Sequence, residues 1–334
     1  MTWPVALDID DSIAMLTPCD LTKDSPLRFL EVQRLRNPVG EWGIRVLYAT
    51  PDRVTHYAWP RGFGLPPGSA PLGAGIGLNE PADFATADLQ IGEAGVLIDV
   101  DFTDVQGRRL VYKVRQRRPW RGFDFMAPPA AGIEQPTSFF FPYLRQFGLV
   151  PQPMSFEASF EGEPLRLQPM PFLWNWRPAL SQKAARGVTV VELLADGAAP
   201  LRAEDPGVRL AGPGRLASYR PPGGALDVIL SFDPPLPGAE ELRGHHRSEW
   251  ELRVGLDRAA SGSVELTPSG RHVRVEWQVT RGWSGVRQPG AAWLLTRFVR
   301  FLRTWPRAYS WSGALTLDPI ARLDGHWRNA RPRR

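Results

Sequence analysis

The chain has 334 residues, 43% of them hydrophobic and 22% charged, a balance that fits a folded globular protein and excludes wholesale disorder. Its net charge of +5 carries a skew, because only Lys23, Lys113 and Lys183 among the 40 basic residues are lysines. The arginines are spread among 35 acids rather than gathered, so nucleic-acid binding is not expected, and no stretch approaches the roughly 18 apolar residues of a membrane span.

The N-terminal Met1–Ser12 lacks a cationic leader with an apolar run behind it, and Cys19 stands alone, so no intrachain disulfide can form. Both features predict a cytoplasmic protein. Asp8, Asp10 and Asp11 lack the spacing of a calcium loop and are expected near a frayed terminus. Trp42–Tyr48 reads as a strand, followed by a turn at Thr50–Asp52 and a return through Val54 to Trp59. The glycine- and proline-rich stretch Trp59–Gly77 reads as a loop, and Gly73–Gly77 within it follows no strand and opens no helix, unlike a phosphate loop.

The clearest hairpin comes next. Val96, Ile98, Val100 and Phe102 alternate with Leu97, Asp99 and Asp101, the period of a half-buried strand. Asp104–Gly107 is the turn, and Leu110, Tyr112 and Val114 continue the apolar face on the partner. Phe156, Ala158 and Phe160 alternate before a turn at Glu161–Glu163. Trp250–Leu256, Val264–Leu266 and Val273–Val279 predict a meander. Helix is expected only over Trp293–Arg303, where Leu294, Leu295, Phe298, Phe301 and Leu302 form one stripe, with a turn or two near Leu144. That amphipathic helix is expected to pack across the open end of a sheet or barrel.

A weak repeat runs at a spacing of about 160 residues. Gly107-Arg108 and Gly270-Arg271 each open a strand, and Arg121-Gly122-Phe123 and Arg281-Gly282-Trp283 each follow one. Aromatic segments come after both, Phe140–Phe147 and Phe298–Trp305. The fold expected is therefore all-β and mainly antiparallel, in two tandem domains that the repeat would relate by duplication, residues 1–170 and 171–334, with a boundary near Pro169–Ser181. Closed barrels or packed sandwiches would remove exposed sheet edges. At the level of architecture this resembles tandem lipocalin-type proteins, whose members bind or transform hydrophobic molecules, although no residue motif of that class stands in the sequence.

Chemistry is sparse. His245, His246 and Glu249 are metal-ligand types at close spacing, but the strand that begins near Trp250 puts them in a loop, and no metal is expected. Asp99 and Asp101 share one side of their strand. Facing a cavity, one would have a raised pKa and could move a proton; facing water, the pair is a polar face opposed by Lys113 and Arg115. Of the 13 tryptophans, several sit beside arginine: Trp59 with Arg61, Trp120 with Arg121, and Trp174 and Trp176 with Arg177. Each ring reads first as core, yet Trp174 and Trp176 point the same way on an extended chain and could grip a flat ligand. The first functional reading is a protein that binds a hydrophobic or aromatic small molecule in an aromatic-lined cavity, without a cofactor. The alternatives are a cofactor-independent lyase, isomerase or hydratase on the same scaffold, and an assembly protein, a homo-oligomer or scaffold, that uses its aromatic surfaces.

Overall fold

The computed structural model describes residues 1–50, 54–64, 78–79, 82–127, 134–151, 153–168, 182–285, 305–317 and 320–330. Strands dominate them, and the helical pieces among the described residues are two short 3-10 turns, Ala239–Glu241 and Trp305–Ala308. The class is all-β and mostly antiparallel, as the alternating apolar pattern predicts. No helix among the described residues is long and apolar enough to cross a membrane.

Two compact units interleave along the chain. One holds Met1–Asp10, Met126–Tyr143 and Thr189–Arg334; the other holds Asp11–Phe125 and Leu144–Val188.

The second of these is built from two five-stranded sheets. In the first sheet β1 (Ile13–Asp20), β2 (Phe29–Arg36), β3 (Trp42–Ala49) and β4 (Val54–Trp59) pair antiparallel in order, and the short Leu78–Asn79 strand adds parallel at the edge. In the other, β5 (Ala82–Gly92), β6 (Gly95–Asp104), β7 (Arg109–Gln116) and β8 (Ser155–Phe160) pair in order, and Glu163–Pro164 completes the edge. The two sheets share one core. Leu30, Val32, Val46 and Tyr48 from one meet Ile98, Val100, Leu110 and Tyr112 from the other in a single buried cluster. A strand alternates faces at every residue, so each of these rows is one side of its sheet turned inward. Each fully buried aliphatic side chain there contributes roughly 1.5–3 kcal/mol of transfer free energy.

The other unit carries an eight-stranded meander in which every strand pairs with the next. Its strands are β9 (Val208–Gly212), β10 (Arg215–Tyr219), β11 (Val228–Pro237), β12 (His246–Val254), β13 (Asp257–Ser269), β14 (His272–Arg281), β15 (Tyr309–Thr316) and β16 (Arg322–Asn329). Tryptophans fill its interior. Trp3, Trp250, Trp277 and Trp327 are all essentially without exposure, and Trp250 tilts against Trp277 at 5.5 Å. Three of these four indole donors find carbonyls: Trp3 donates to Leu236 at 3.1 Å, Trp250 to Ser263 at 3.2 Å, and Trp327 to both Leu193 and Leu194 at 3.1 Å, while the Trp277 indole nitrogen is buried without a partner. A buried indole that pairs its N–H keeps the full benefit of its large apolar area.

Several expectations need correcting. No sheet closes into a barrel among the described residues; β9 and β16 are the two ends of the meander, so the lipocalin-like barrel is not the architecture seen. The inward apolar rows of β1–β8 face a second sheet instead of wrapping onto their own. Leu144 lies not in a helical turn but in the Phe139–Leu149 strand. Asp8 and Asp10 are not frayed: they sit in the Leu7–Asp10 strand, paired with Glu192 and Val190. The helix expected over Trp293–Arg303, the glycine run Gly73–Gly77 and the boundary Pro169–Ser181 lie outside the described residues. The Gly107-Arg108 and Gly270-Arg271 repeats do both turn hairpins, β6 to β7 and β13 to β14, but the sheets they enter differ in strand order.

Candidate ligand pocket

A pocket of about 530 Å³ opens at one end of the two-sheet unit. Register explains why it lies between the sheets. Arg34 pairs with Met15 on β1 and with Ile44 on β3, in line with the core residues Leu30 and Val32, so it stands on the inward face at the end of its sheet. Gln116 pairs with Val96, in line with Leu110, Tyr112 and Val114, so it stands on the inward face of the opposing sheet. Met15, Ile91 and Val96 supply the apolar lining. The β5–β6 turn, Gly92 to Gly95, forms one wall, and Arg117 lines the rim; Arg115 borders it too, but its place in β7 is on the face opposite Gln116. Both arginines are exposed, and so is Glu93, the one carboxylate of the lining among the described residues.

Gln116 is the unusual member. The residue is 2% exposed, and neither its amide oxygen nor its amide nitrogen has a hydrogen-bond partner in the structure. A core-facing position would ordinarily carry another apolar residue, and a buried amide left unpaired costs roughly 1–3 kcal/mol. Gly95 fixes the backbone at this point. Its φ is +106°, and a Cβ there would sit 1.9 Å from the Gln116 carbonyl oxygen. Trp120 ties down the chain that follows: its backbone N–H donates to Gly92 at 2.9 Å, and its indole N–H donates to Gln146 at 2.8 Å. Arg34 is anchored as well, with its guanidinium 5.0 Å from the Trp42 ring centroid and an Nη1 contact of 3.5 Å to the Leu89 carbonyl.

The sequence candidates fall elsewhere. Asp99 and Asp101 occupy the face of β6 opposite the core. Asp99 accepts from the Thr86 hydroxyl at 2.9 Å and lies 3.8 Å from the Lys113 ammonium. Asp101 is gripped by both arms of Arg109 at 2.9 and 2.7 Å, and those hydrogen bonds hold its carboxyl below the ordinary value. A proton-transfer acid would need the opposite shift. His245, His246 and Glu249 do not converge. His246 opens β12 and contacts the Ser248 hydroxyl at 2.9 Å, burial depressing its pKa; His245 contacts Thr267 at 3.3 Å; Glu249 pairs with Arg247 at 3.3 Å. No group of three or more metal-ligand side chains gathers among the described residues. Trp59 and Arg61 are exposed, as is Arg121, while Trp120 is buried as an anchor rather than open to a ligand. Trp174 and Trp176 lie outside the described residues.

Arg34 and Gln116 are what sequence reasoning passed over. Parity held the signal: Gln116 continues the apolar row Leu110, Tyr112, Val114 and breaks it with an amide. A second buried polar group lies on the opposite face of β2 and β3. Arg45 Nε donates to Gln33 Oε1 at 2.7 Å, and the Gln33 amide donates to Glu31. Burial pushes the Glu31 carboxyl up to about 7, against the lowering effects of Gln33 and then Arg45. Glu31 does not line the pocket.

No family model, no curated protein and no solved structure matches the chain.

Proposed function

We propose that the protein binds a small molecule in the pocket between the two sheets, with apolar burial against Met15, Ile91 and Val96 and orientation from Arg34 and Arg117. The observation that carries this reading is the pocket itself, open between the two sheets, with Arg34 on the inward face at its end and an apolar wall of Met15, Ile91 and Val96. A cavity of about 530 Å³ falls within the usual span of ligand sites, and an apolar lining with a few polar groups is their usual composition. The site differs from the aromatic-lined cavity of the sequence reading: among the described residues its lining holds no aromatic ring, Trp120 is a buried anchor and Trp59 is exposed outside it, and the polar determinants are guanidinium groups.

Native mass spectrometry of freshly purified protein tests the proposal. The expected result is an adduct of a few hundred daltons that is lost on denaturation and weakened in an Arg117→Ser variant, a change at an exposed lining residue. A clean mass for the wild-type protein, with no small molecule from a diverse fragment set perturbing the intrinsic tryptophan fluorescence or the thermal midpoint, overturns it.

A further inference from the structure

We infer that the unit containing the meander has a site of its own, a pocket of about 450 Å³ that takes an aliphatic primary amine as its ammonium ion. This pocket shares no residue with the one in the two-sheet unit, so the two readings stand or fall separately.

The first support is unbalanced charge. Asp8 on the Leu7–Asp10 strand lies directly opposite Glu192 on the Val188–Leu193 strand, so both carboxylates rise from one face of the pair. Like charges in that position destabilise a sheet. Burial raises the Glu192 pKa, a hydrogen bond from the Ser138 hydroxyl at 3.2 Å works against it, and the charges of Asp8 and Asp10 raise it further. Asp205 is the third carboxylate of the lining, and its Oδ2 accepts the Arg202 backbone N–H at 2.7 Å, which fixes the turn that presents it. Arg202 lines the pocket too, but its guanidinium reaches toward Glu204 at 4.0 Å. Among the described residues, no arginine or lysine pairs with Asp8, Glu192 or Asp205. A cation held among them relieves the repulsion.

Tyr219 is the second and independent support. It ends β10, lines the pocket and is 8% exposed. Its hydroxyl makes no hydrogen bond among the described residues, yet it is not sealed from the surface. Burial raises its pKa first, then the charges of Asp205 and Asp8, so the phenol oxygen stands near both carboxylates. A primary ammonium has three donor hydrogens and no acceptor, which suits one phenol oxygen and two carboxylates. The ring face attracts a cation as well. Val5, Leu7, Ala195, Pro200 and Leu201 complete the wall with short aliphatic side chains, which fit an alkyl chain better than a broad ring. A bare divalent metal would leave that wall uncovered, and no group of three or more metal-ligand side chains gathers among the described residues.

Calorimetric titration of the full chain tests this with four probes. Pentylamine has the chain and the donors, 1-pentanol the chain without the charge, tetramethylammonium the charge without N–H, and calcium the charge alone. Pentylamine should bind at least about tenfold more tightly than pentanol or tetramethylammonium, the factor that charge-assisted hydrogen bonds supply. Asp8→Asn and Tyr219→Phe should each weaken pentylamine about fivefold and leave pentanol unchanged. Asp8 is exposed, so its variant keeps the test open if the change at the buried Tyr219 fails to fold. Equal binding of pentylamine and pentanol overturns the role of the carboxylates, and equal binding of pentylamine and tetramethylammonium overturns that of the N–H donors. Pentylamine affinity untouched by both variants puts the amine elsewhere on the protein and overturns the site. Calcium binding that Asp8→Asn abolishes, without amine binding, makes it an inorganic-ion site instead. No binding of any probe at millimolar concentration overturns the inference outright.

Discussion

The Tyr57 hydroxyl donates to Asp104 Oδ2 at 3.1 Å across the core of the two-sheet unit, joining residues 47 apart in the chain. Tyr57 is on β4 of one sheet, and Asp104 ends β6 of the other, at the turn of the clearest hairpin in the sequence. Around this contact a small polar network closes. The Tyr48 and Tyr57 hydroxyls lie 2.9 Å apart, and Arg108 reaches Asp104 through Nε at 2.8 Å and the Tyr48 hydroxyl through Nη2 at 3.0 Å. The other carboxyl oxygen accepts the backbone N–H groups of Gln106 and Arg108, each at 2.9 Å. Burial alone would raise the Asp104 pKa, but the hydrogen bonds from the Arg108 side chain, then from the Arg108 and Gln106 backbone, outweigh it and hold the carboxyl below its ordinary value.

Asp104→Ala is therefore expected to cost about 3 kcal/mol, because it opens the turn and strips the phenols and guanidinium of their shared acceptor. Tyr57→Phe removes one donor and should cost only about 1 kcal/mol. Urea unfolding of both single variants and the double variant checks this. The two losses should not add, since either change breaks the same Tyr57–Asp104 bond. Simple additivity would mean that the sheets are not coupled through it.

The buried Glu31 gives a pH dependence with a definite sign. Its carboxyl titrates at about 7 in the folded protein, against an ordinary value of 4.5. Between those limits the folded state holds a proton that the unfolded state has released. Stability from this group is then complete below the unfolded value, falls as pH rises through the window, and levels off above the folded value. The gap corresponds to something on the order of 3 kcal/mol. Glu31→Gln keeps the shape and cannot ionise, so its stability should gain on the wild type between about pH 5 and about pH 8. Parallel urea midpoints for the two proteins across that range would show instead that Glu31 is ionised in the fold, balanced by Arg45.

The fold was legible where one face of a strand is apolar and the other polar. Val96–Phe102, Leu110–Val114 and the meander from Trp250 to Val279 declared their period, and they pair as adjacent strands in the structure. The Phe139–Leu149 strand was not legible near Leu144, because apolar residues crowd both parities there and mimic a helix face. Nor could local pattern show that the units interleave, since that depends on pairings such as Leu7–Asp10 with the Val188–Leu193 strand, far apart in sequence. The carboxylates singled out first, Asp99 and Asp101, turned out to face away from the core, as their apolar neighbours implied. The pocket escaped because its parts come from β1, β2, β5, β6 and β7, and an arginine or a glutamine at a strand end is unremarkable until register shows which way it faces.

In the meander unit, Trp311 lies over a cross-strand pair of glycines. Gly313 faces Gly325 on β16, and a Cβ on Gly313 would come 2.3 Å from the Trp311 ring and 2.4 Å from the Asp324 carbonyl oxygen. The ring occupies the space that two side chains would otherwise fill, which is how a 2% exposed tryptophan fits near the edge of the sheet. Gly313→Ala should displace the indole and cost about 2 kcal/mol, within the range for overpacking a well-filled site. The check is a urea midpoint together with near-ultraviolet circular dichroism, which reports the tryptophan environment. An unchanged midpoint would show that the ring can slide aside.

Gly95 links stability to the pocket. Its backbone is left-handed, and its Cα packs so closely on the Gln116 carbonyl that any side chain must push the two strands apart. Gly95→Ala should therefore destabilise the two-sheet unit by about 2 kcal/mol or more. It should also move Gln116, a residue of the pocket wall, without changing any residue that touches a ligand through its side chain. The expected outcome is a folded but less stable protein in which the native mass-spectrometric adduct is weakened or gone, while Gly313→Ala, destabilised to a similar degree in the other unit, retains it. Loss of the adduct in both variants would trace the effect to global stability rather than to the placement of Gln116. Retention in both would mean that the β5–β6 turn does not set the geometry of the site.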